Sequence, residues 1–437
     1  MTPTASPASG LAPPVSLPSS PQRPAGTARP RLHGIDGLRA FAALWVVLFH
    51  IRAFSGAQLT GVPGLDLFIR SGSTGVSLFL VLSGFCLYLP YAGGRLSRFS
   101  SGRFFARRCR RLLPAYYATL AVILLVYALA SGHAGLAHMS AAGLAGQAAA
   151  HLTLVHQLLP STFYGLNGAY WSLGLEWELY LTLPLLVLGV RRIGLGRTVA
   201  LVVGLNVAYR LVLAVAAGHC LVGPHTTLAT VVLPNLFLGR WGEFGLGMLA
   251  AELYVSGRAG LWGRRLIVPA VLAVPASFLI AGNPLAHLLF GVIFFTVVCL
   301  VADGGNPVAR AFSSTPLVVL GAMSYSIYLV HQPLVEVGAH LLGAGNGASP
   351  RRVFLELVAL IPVLLVAAWI LFVTVERRTV GASSLGGLRG ERLLFPTLPS
   401  LRPRPRPPSG PGPGQSRHQT DEPPAPEAVA LEGRPVS

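Results

Sequence analysis

The chain has 437 residues, 53% of them hydrophobic and 11% charged, with a formal net charge of +18. A mean hydropathy of +0.62 with so few charges excludes an ordinary soluble globular protein. The chain has no lysine, and its arginines gather between apolar runs as membrane topology requires, so the charge does not indicate nucleic acid.

Residues 1–31 are rich in Pro, Ser and Ala and contain no apolar h-region. They read as a disordered cytoplasmic tail and not as a signal peptide. About ten candidate membrane helices follow, at 36–54, 73–92, 114–131, 170–190, 197–217, 233–255, 265–283, 285–302, 315–341 and 352–375. Arginines crowd the segments before span one and after spans two, four, six and eight, while the alternate loops are nearly bare apart from Arg52, Arg70, Arg351 and Arg352. The positive-inside rule then places both termini in the cytoplasm. Residues 379–437, with their Pro-Arg and Gly-Pro alternation, read as a second disordered cytoplasmic tail. The expected fold is therefore an all-α integral membrane protein with one membrane domain, 32–378. Cys86, Cys109, Cys220 and Cys299 form no CxxC pair, so neither a disulfide framework nor a metal site is expected.

Four constellations place polar side chains at membrane depth, where they are costly and mark candidate sites, and a fifth lies on the cytoplasmic side just before span three. In span one, Arg39 and His50 share a helix face to within about 20° and lie about 16 Å apart along the axis. Before span three, Arg107, Arg108, Arg110 and Arg111 precede Pro114, which suits a fresh helix start. Arg108 and Arg111 point together if this segment is helical, and guanidinium groups bind phosphate in bidentate fashion. In span four, Ser172, Glu176 and Tyr180 recur every four residues and form a polar stripe, with Glu178 pointing away from it. Span six carries Arg240 and Glu243 at ion-pair spacing among glycines. Span nine carries Ser324, Tyr325, Ser326, Tyr328 and His331 ahead of Pro333, which is expected to kink it. Span ten ends in Val375-Glu376-Arg377-Arg378, expected as an interfacial cap. His133, His138, His151, His156, His219 and His225 match no zinc spacing and are expected to be solvated.

In this order the motifs resemble the acyltransferase-3 family of integral membrane acyl transferases. The resemblance rests on Arg39 and His50, the Gly75–Phe85 run, Arg107-Arg108-x-x-Arg111, Trp171-Ser172-Leu173-x-x-Glu176 with Tyr180, the Ser324–Pro333 run and Glu376. It departs from the family pattern at Ser77 and at Leu80, where many members carry an acidic or other polar residue and a second Phe. The resemblance implies a multi-pass enzyme of a bacterial cell membrane that moves an acyl group, usually acetyl, from cytoplasmic acyl-CoA to a hydroxyl of a glycan, glycolipid or secondary metabolite. It implies no permanently bound cofactor; acyl-CoA is the donor substrate. Arg107, Arg108 and Arg111 would hold the coenzyme A phosphates. His50 would act as general base, with its transient acylation as the rival route. Arg39 would bind the donor or stabilise developing charge, and Glu176 would orient His50 or hold the acceptor. Ser172, Tyr180, Arg240, Glu243, Tyr328 and His331 are further cavity candidates. The alternative is a polytopic transporter, which also needs buried charge and kinked helices; release of coenzyme A that depends on an acceptor separates the two.

Overall fold

Gly56, with φ of +66°, ends the first helix in the left-handed conformation that a residue without a Cβ adopts freely. That helix, α1 (His33–Ser55), runs through a computed structural model that describes residues 32–58, 63–130, 139–216, 231–279 and 285–380. Residues 1–31 and 381–437, His133, His138, His219, His225 and Cys220 lie outside the described residues.

Among the described residues every regular element is helical. After α1 come α2 (Pro63–Arg70), α3 (Gly75–Tyr88), α4 (Ser101–Ala130), α5 (Ala141–Leu152) and α6 (Pro160–Phe163). The long α7 (Trp171–Ile193), α8 (Leu195–Ala216), α9 (Phe237–Val255), α10 (Ala259–Leu279) and α11 (Ala286–Asp303) follow. The chain then continues through α12 (Pro307–Phe312), α13 (Thr315–Ala322), α14 (Ser324–Leu341), α15 (Pro350–Ala359), α16 (Ile361–Leu371), a π turn at Phe372–Glu376 and α17 (Arg377–Val380).

Among the described residues, six helical stretches are long and apolar enough to cross a bilayer, or eight if each of two bent pairs counts as one span. The bent pairs are α13 with α14, at 74°, and α15 with the stretch from Ile361 to Thr379, at 43°. Of the remaining two expected spans, α9 carries three charges, Arg240, Glu243 and Glu252, and 265–283 runs into residues outside the described set.

In lipid, helices associate by close packing and not by escape from water. Helices α3 and α9 show this. A Cβ added at Gly84 would lie 2.0 Å from the Phe244 carbonyl oxygen, and one at Gly247 would lie 2.0 Å from that of Val81. Helix α1 packs against α3, α13 and α14, and α9 is enclosed by α3, α8 and α11. The outward faces are apolar: Val122, Leu125 and Leu129 on α4, Val212 and Val215 on α8, and Val268, Val271 and Leu272 on α10 are all exposed. Such faces suit acyl chains.

Two prolines behave differently from expectation. Helix α4 runs unbroken from Ser101 through the arginine cluster and past Pro114, so this proline starts no new helix. A proline in mid-helix is tolerated at membrane depth when neighbours satisfy the freed carbonyl. Pro333 also sits within α14, and the sharp bend lies ten residues earlier, at Met323. There Gly321 passes so close to the α1 backbone that a Cβ would meet the Asp36 carbonyl oxygen at 1.9 Å. The break thus lies beside a close backbone contact with α1.

Candidate active site

Helices α1, α3, α4, α7 and α14 line a partly open cavity. Arg39 lines it from α1, Phe79, Ser83 and Cys86 from α3, and Arg108 and Arg111 from α4. Ser172, Glu176 and Tyr180 line it from α7, and Ser324, Tyr325 and Tyr328 from α14. Helical spacing explains the selection: Phe79, Ser83 and Cys86 share one face of α3, and Arg108 and Arg111 lie one turn apart. Arg107 takes no part in the lining. It is exposed, and its guanidinium donates to the Tyr91 hydroxyl at 3.0 Å.

Three arginines thus face one glutamate. Glu176 accepts a short hydrogen bond from the Tyr180 hydroxyl and a longer one, 3.5 Å, from Ser83 Oγ. Arg39 Nε donates to Ser324 Oγ at 3.4 Å. The Nε of Arg108 is buried without a partner. Such a cluster is a ready anion site, because unpaired guanidinium donors in a partly desolvated space gain strongly from a phosphate. Glu376, expected at the membrane interface, is instead buried. It accepts from Ser326 Oγ at 2.7 Å and lies within electrostatic reach of Arg111 and Arg39. The π turn that carries Glu376 packs on α4, which turns its carboxylate inward.

His50 does not line the cavity. It packs against His331, with ring centroids 4.9 Å apart, between Phe49 and Phe54. Tyr328 stands between cavity and histidines. Its ring contacts His331 at 5.3 Å and Phe79 at 6.0 Å. Its hydroxyl donates to the Ala169 carbonyl at 2.9 Å and meets Ser172 Oγ at 2.5 Å. The hydrogen-bond partners of Glu176 are Ser83 and Tyr180, not His50, so the expected Glu176–His50 contact is replaced by His331–His50.

A family model described as "Acyltransferase domain" matches residues 32–373, most of the chain. The chain belongs to the acyltransferase-3 family. It is therefore a multi-pass membrane enzyme that transfers acyl groups. Its sequence is 28% identical to "Acyltransferase MdmB" of Streptomyces mycarofaciens, over 79% of this chain and 91% of that protein. It is 27% identical to "Putative membrane-bound transacylase BcsY" of Komagataeibacter xylinus, over 71% of this chain and 75% of that one. It is 24% identical to "O-acetyltransferase OatA" of Staphylococcus aureus, over 70% of this chain but only half of that protein. No solved structure matches the chain significantly.

The acyltransferase holds a second polar cluster outside the cavity, where Arg240 and Glu243 lie. Arg240 Nε is 3.0 Å from Glu243 Oε2, and both side chains are only 2% exposed. The other guanidinium nitrogens donate to Ser77 Oγ at 3.0 Å and to His287 Nδ1 at 2.7 Å. Ser77, the departure from the family pattern, thus serves as a partner for Arg240. His287 escaped the sequence reading, although an imidazole in an otherwise apolar span is itself a signal. Cys86 was read only for disulfides and zinc, yet it lines the cavity; its phase with Phe79 and Ser83 was the available clue. Glu178 accepts from the Phe237 amide at 2.8 Å and from Gln157 at 3.0 Å, tying α7 to the start of α9.

Two of the loop histidines are also not solvated. His151 and His156 are fully buried, and their rings stack at 4.2 Å. Burial, and then the neighbouring His151, pull the His156 imidazole down to about 3. Burial also lowers His151. Helix α5 and the turn at His156–Leu158 fold back on Tyr116 and Tyr170, which closes the space around both rings.

Proposed function

We propose that this acyltransferase moves an acyl group from cytoplasmic acyl-CoA to a hydroxyl of a glycan, glycolipid or secondary metabolite, with His50 as general base. The observation that carries the reading is the cavity in which Arg39, Arg108 and Arg111 surround a single glutamate, with a buried Arg108 Nε left unpaired. That chemistry suits the phosphates of coenzyme A. Acetyl is the proposed acyl group, a choice supported by the name of the O-acetyltransferase relative. Ten spans with both termini in the cytoplasm would put the α4 arginines on the side where acyl-CoA is made, as the loop arginines favour.

In this reading His50 Nε2 takes the proton of the acceptor hydroxyl as its oxygen attacks the thioester carbonyl. The carbonyl carbon–sulfur bond breaks, the ester forms, and the thiolate leaves with the proton returned from His50. Arg39, which lines the cavity, binds the donor in this scheme. Tyr328 and Ser172 form the wall across which the thioester must reach the histidines.

The test uses membranes that contain the full chain and [14C]acetyl-CoA, with base-labile label in the acceptor as readout. His50→Ala is expected to abolish transfer, with coenzyme A still bound. Full transfer by His50→Ala at normal expression overturns the reading. Transport of a solute without release of coenzyme A would favour the transporter.

A further inference from the structure

The two histidines that meet behind Tyr328 define their own protonation pattern. His331 Nδ1 lies 2.7 Å from the Tyr328 carbonyl oxygen, one turn back on α14. A carbonyl oxygen can only accept, so Nδ1 carries a proton and, in a neutral ring, Nε2 carries a lone pair. His50 Nδ1 lies 2.9 Å from the Val46 carbonyl oxygen, one turn back on α1. The same argument puts the His50 proton on Nδ1. The Nε2 lone pair of His331 faces this N–H at 3.3 Å. The His50 Nδ1–H is thus shared between a carbonyl oxygen and an imidazole nitrogen. The opposite arrangement, with His331 donating, would set two ring lone pairs against two carbonyl oxygens in a buried space, which is strongly disfavoured.

We infer that His331 is the positioning residue of the acyltransferase: its Nε2 accepts the His50 Nδ1–H, fixes the His50 tautomer and leaves His50 Nε2 as the basic nitrogen. This rests on the reading of His50 as general base. Among the described residues His50 Nε2 has no hydrogen-bond partner, so it is available to a substrate proton. When that proton arrives, His50 becomes an imidazolium whose Nδ1–H bonds to Val46 and His331 strengthen, because charge-assisted bonds are the strong ones. Net charge is unchanged over the cycle, since the proton passes from acceptor hydroxyl to His50 Nε2 and from there to the departing thiolate. A carboxylate commonly fills the orienting role in other base–orienter pairs. A neutral imidazole fills it here without placing an unpaired anion at membrane depth.

The surroundings hold His331 still. Its side chain is 0% exposed. Helix α14 is anchored beside it by Asn167 Nδ2, which donates to the Leu329 carbonyl at 3.1 Å, and by the Tyr328 hydroxyl on Ala169. The break at Met323 swings α14 across α1 and so brings His331 and His50, 281 residues apart in sequence, into register.

The test compares His331→Gln, His331→Asn and His331→Phe in the full chain, with [14C]acetyl-CoA as donor and coenzyme A binding measured by calorimetry on the detergent-purified protein. Glutamine carries an amide oxygen where Nε2 stood; asparagine is too short to reach, and phenylalanine has no acceptor. His331→Asn and His331→Phe are expected to lower kcat on the order of 10- to 100-fold, with KM for acetyl-CoA and coenzyme A affinity unchanged. His331→Gln is expected to restore kcat to within about fivefold of the parent. Equal loss in His331→Gln and His331→Asn with coenzyme A binding intact overturns the inference, as does kcat retained in His331→Asn. If His331→Phe fails to fold, the Gln–Asn pair decides alone. His50→Ala separates the two readings. If it keeps activity, the general-base reading falls and the inference with it. If it is inactive while the His331 variants are normal, only the inference falls.

Discussion

Two sets of arginines are treated in opposite ways. Arg240 and Arg210 are fully buried and matched. Arg240 has Glu243, Ser77 and His287, and Arg210 donates to the backbone carbonyls of Gly239 and Pro234. Arg39, Arg108 and Arg111 are half-buried around a cavity, with one glutamate among its lining side chains and an Arg108 Nε left unpaired. The first set has internal partners and binds helices together. The second is only partly matched: Arg39 donates to Ser324 Oγ, while Arg108 Nε has no partner. Residue type is the same in both; the completeness of the partner set is what differs, and in the proposed reading that difference separates an arginine that stabilises the fold from one that binds a ligand.

The difference can be broken experimentally, starting with the buried set. Arg240→Met leaves the Glu243 carboxylate buried and uncompensated, which is expected to cost about 3–5 kcal/mol. The measure is the thermal unfolding midpoint of the detergent-purified protein. Arg240→Met/Glu243→Met is expected to be less destabilised than the single variant, since no orphaned charge remains. In the cavity set, Arg108→Gln and Arg111→Gln should each weaken coenzyme A by about 10- to 100-fold, from the loss of charged hydrogen bonds worth about 1.5–3 kcal/mol. Their unfolding midpoints should stay near that of the parent. A large stability loss without a binding loss would move these arginines into the structural set.

The stacked histidines between α4 and α7 offer a smaller and pH-dependent effect. His156 has its folded-state pKa at about 3, below the unfolded value, so its contribution is complete above about pH 6.5 and is lost as pH falls toward 3. At pH 5 this one group is expected to cost about 2 kcal/mol of stability. His156→Gln should flatten the fall in unfolding midpoint between pH 7.5 and pH 5; an equally steep fall would place the sensitivity elsewhere. The smallest effect belongs to Arg107. Because it bonds to Tyr91 and not into the cavity, Arg107→Gln should leave coenzyme A affinity within about threefold. A loss matching that of Arg108→Gln would put Arg107 back into the anion site.

Much of the site was legible because helices repeat. The i,i+3 spacing of Arg108 and Arg111 and the i,i+4 spacing of Ser172, Glu176 and Tyr180 fix shared faces wherever the helix lies. The same logic failed for Arg39 and His50. They do share a face of α1, but three turns of helix carry them to different neighbours, one to the cavity and the other to His331. Of the two roles expected of Glu176, contact with His50 is absent, because its carboxylate is taken by Tyr180 on its own helix and by Ser83. The proline readings failed for a related reason. Pro114 and Pro333 perturb a helix locally, but contacts from neighbouring helices decide whether it breaks.

The sequence by itself determined the membrane environment, the helical class, the acyltransferase-3 resemblance and the faces that carry arginine and carboxylate. These follow from composition, period and order along the chain, which are local properties. Only the tertiary structure decided which polar groups are left without partners. It separated Arg108 from Arg240, buried Glu376 and the loop histidines, and brought His331 to His50. Pairing at membrane depth depends on angstrom-scale distances between helices distant in sequence, and those distances are set by close backbone contacts such as Gly84 against Phe244 and Gly321 against Asp36.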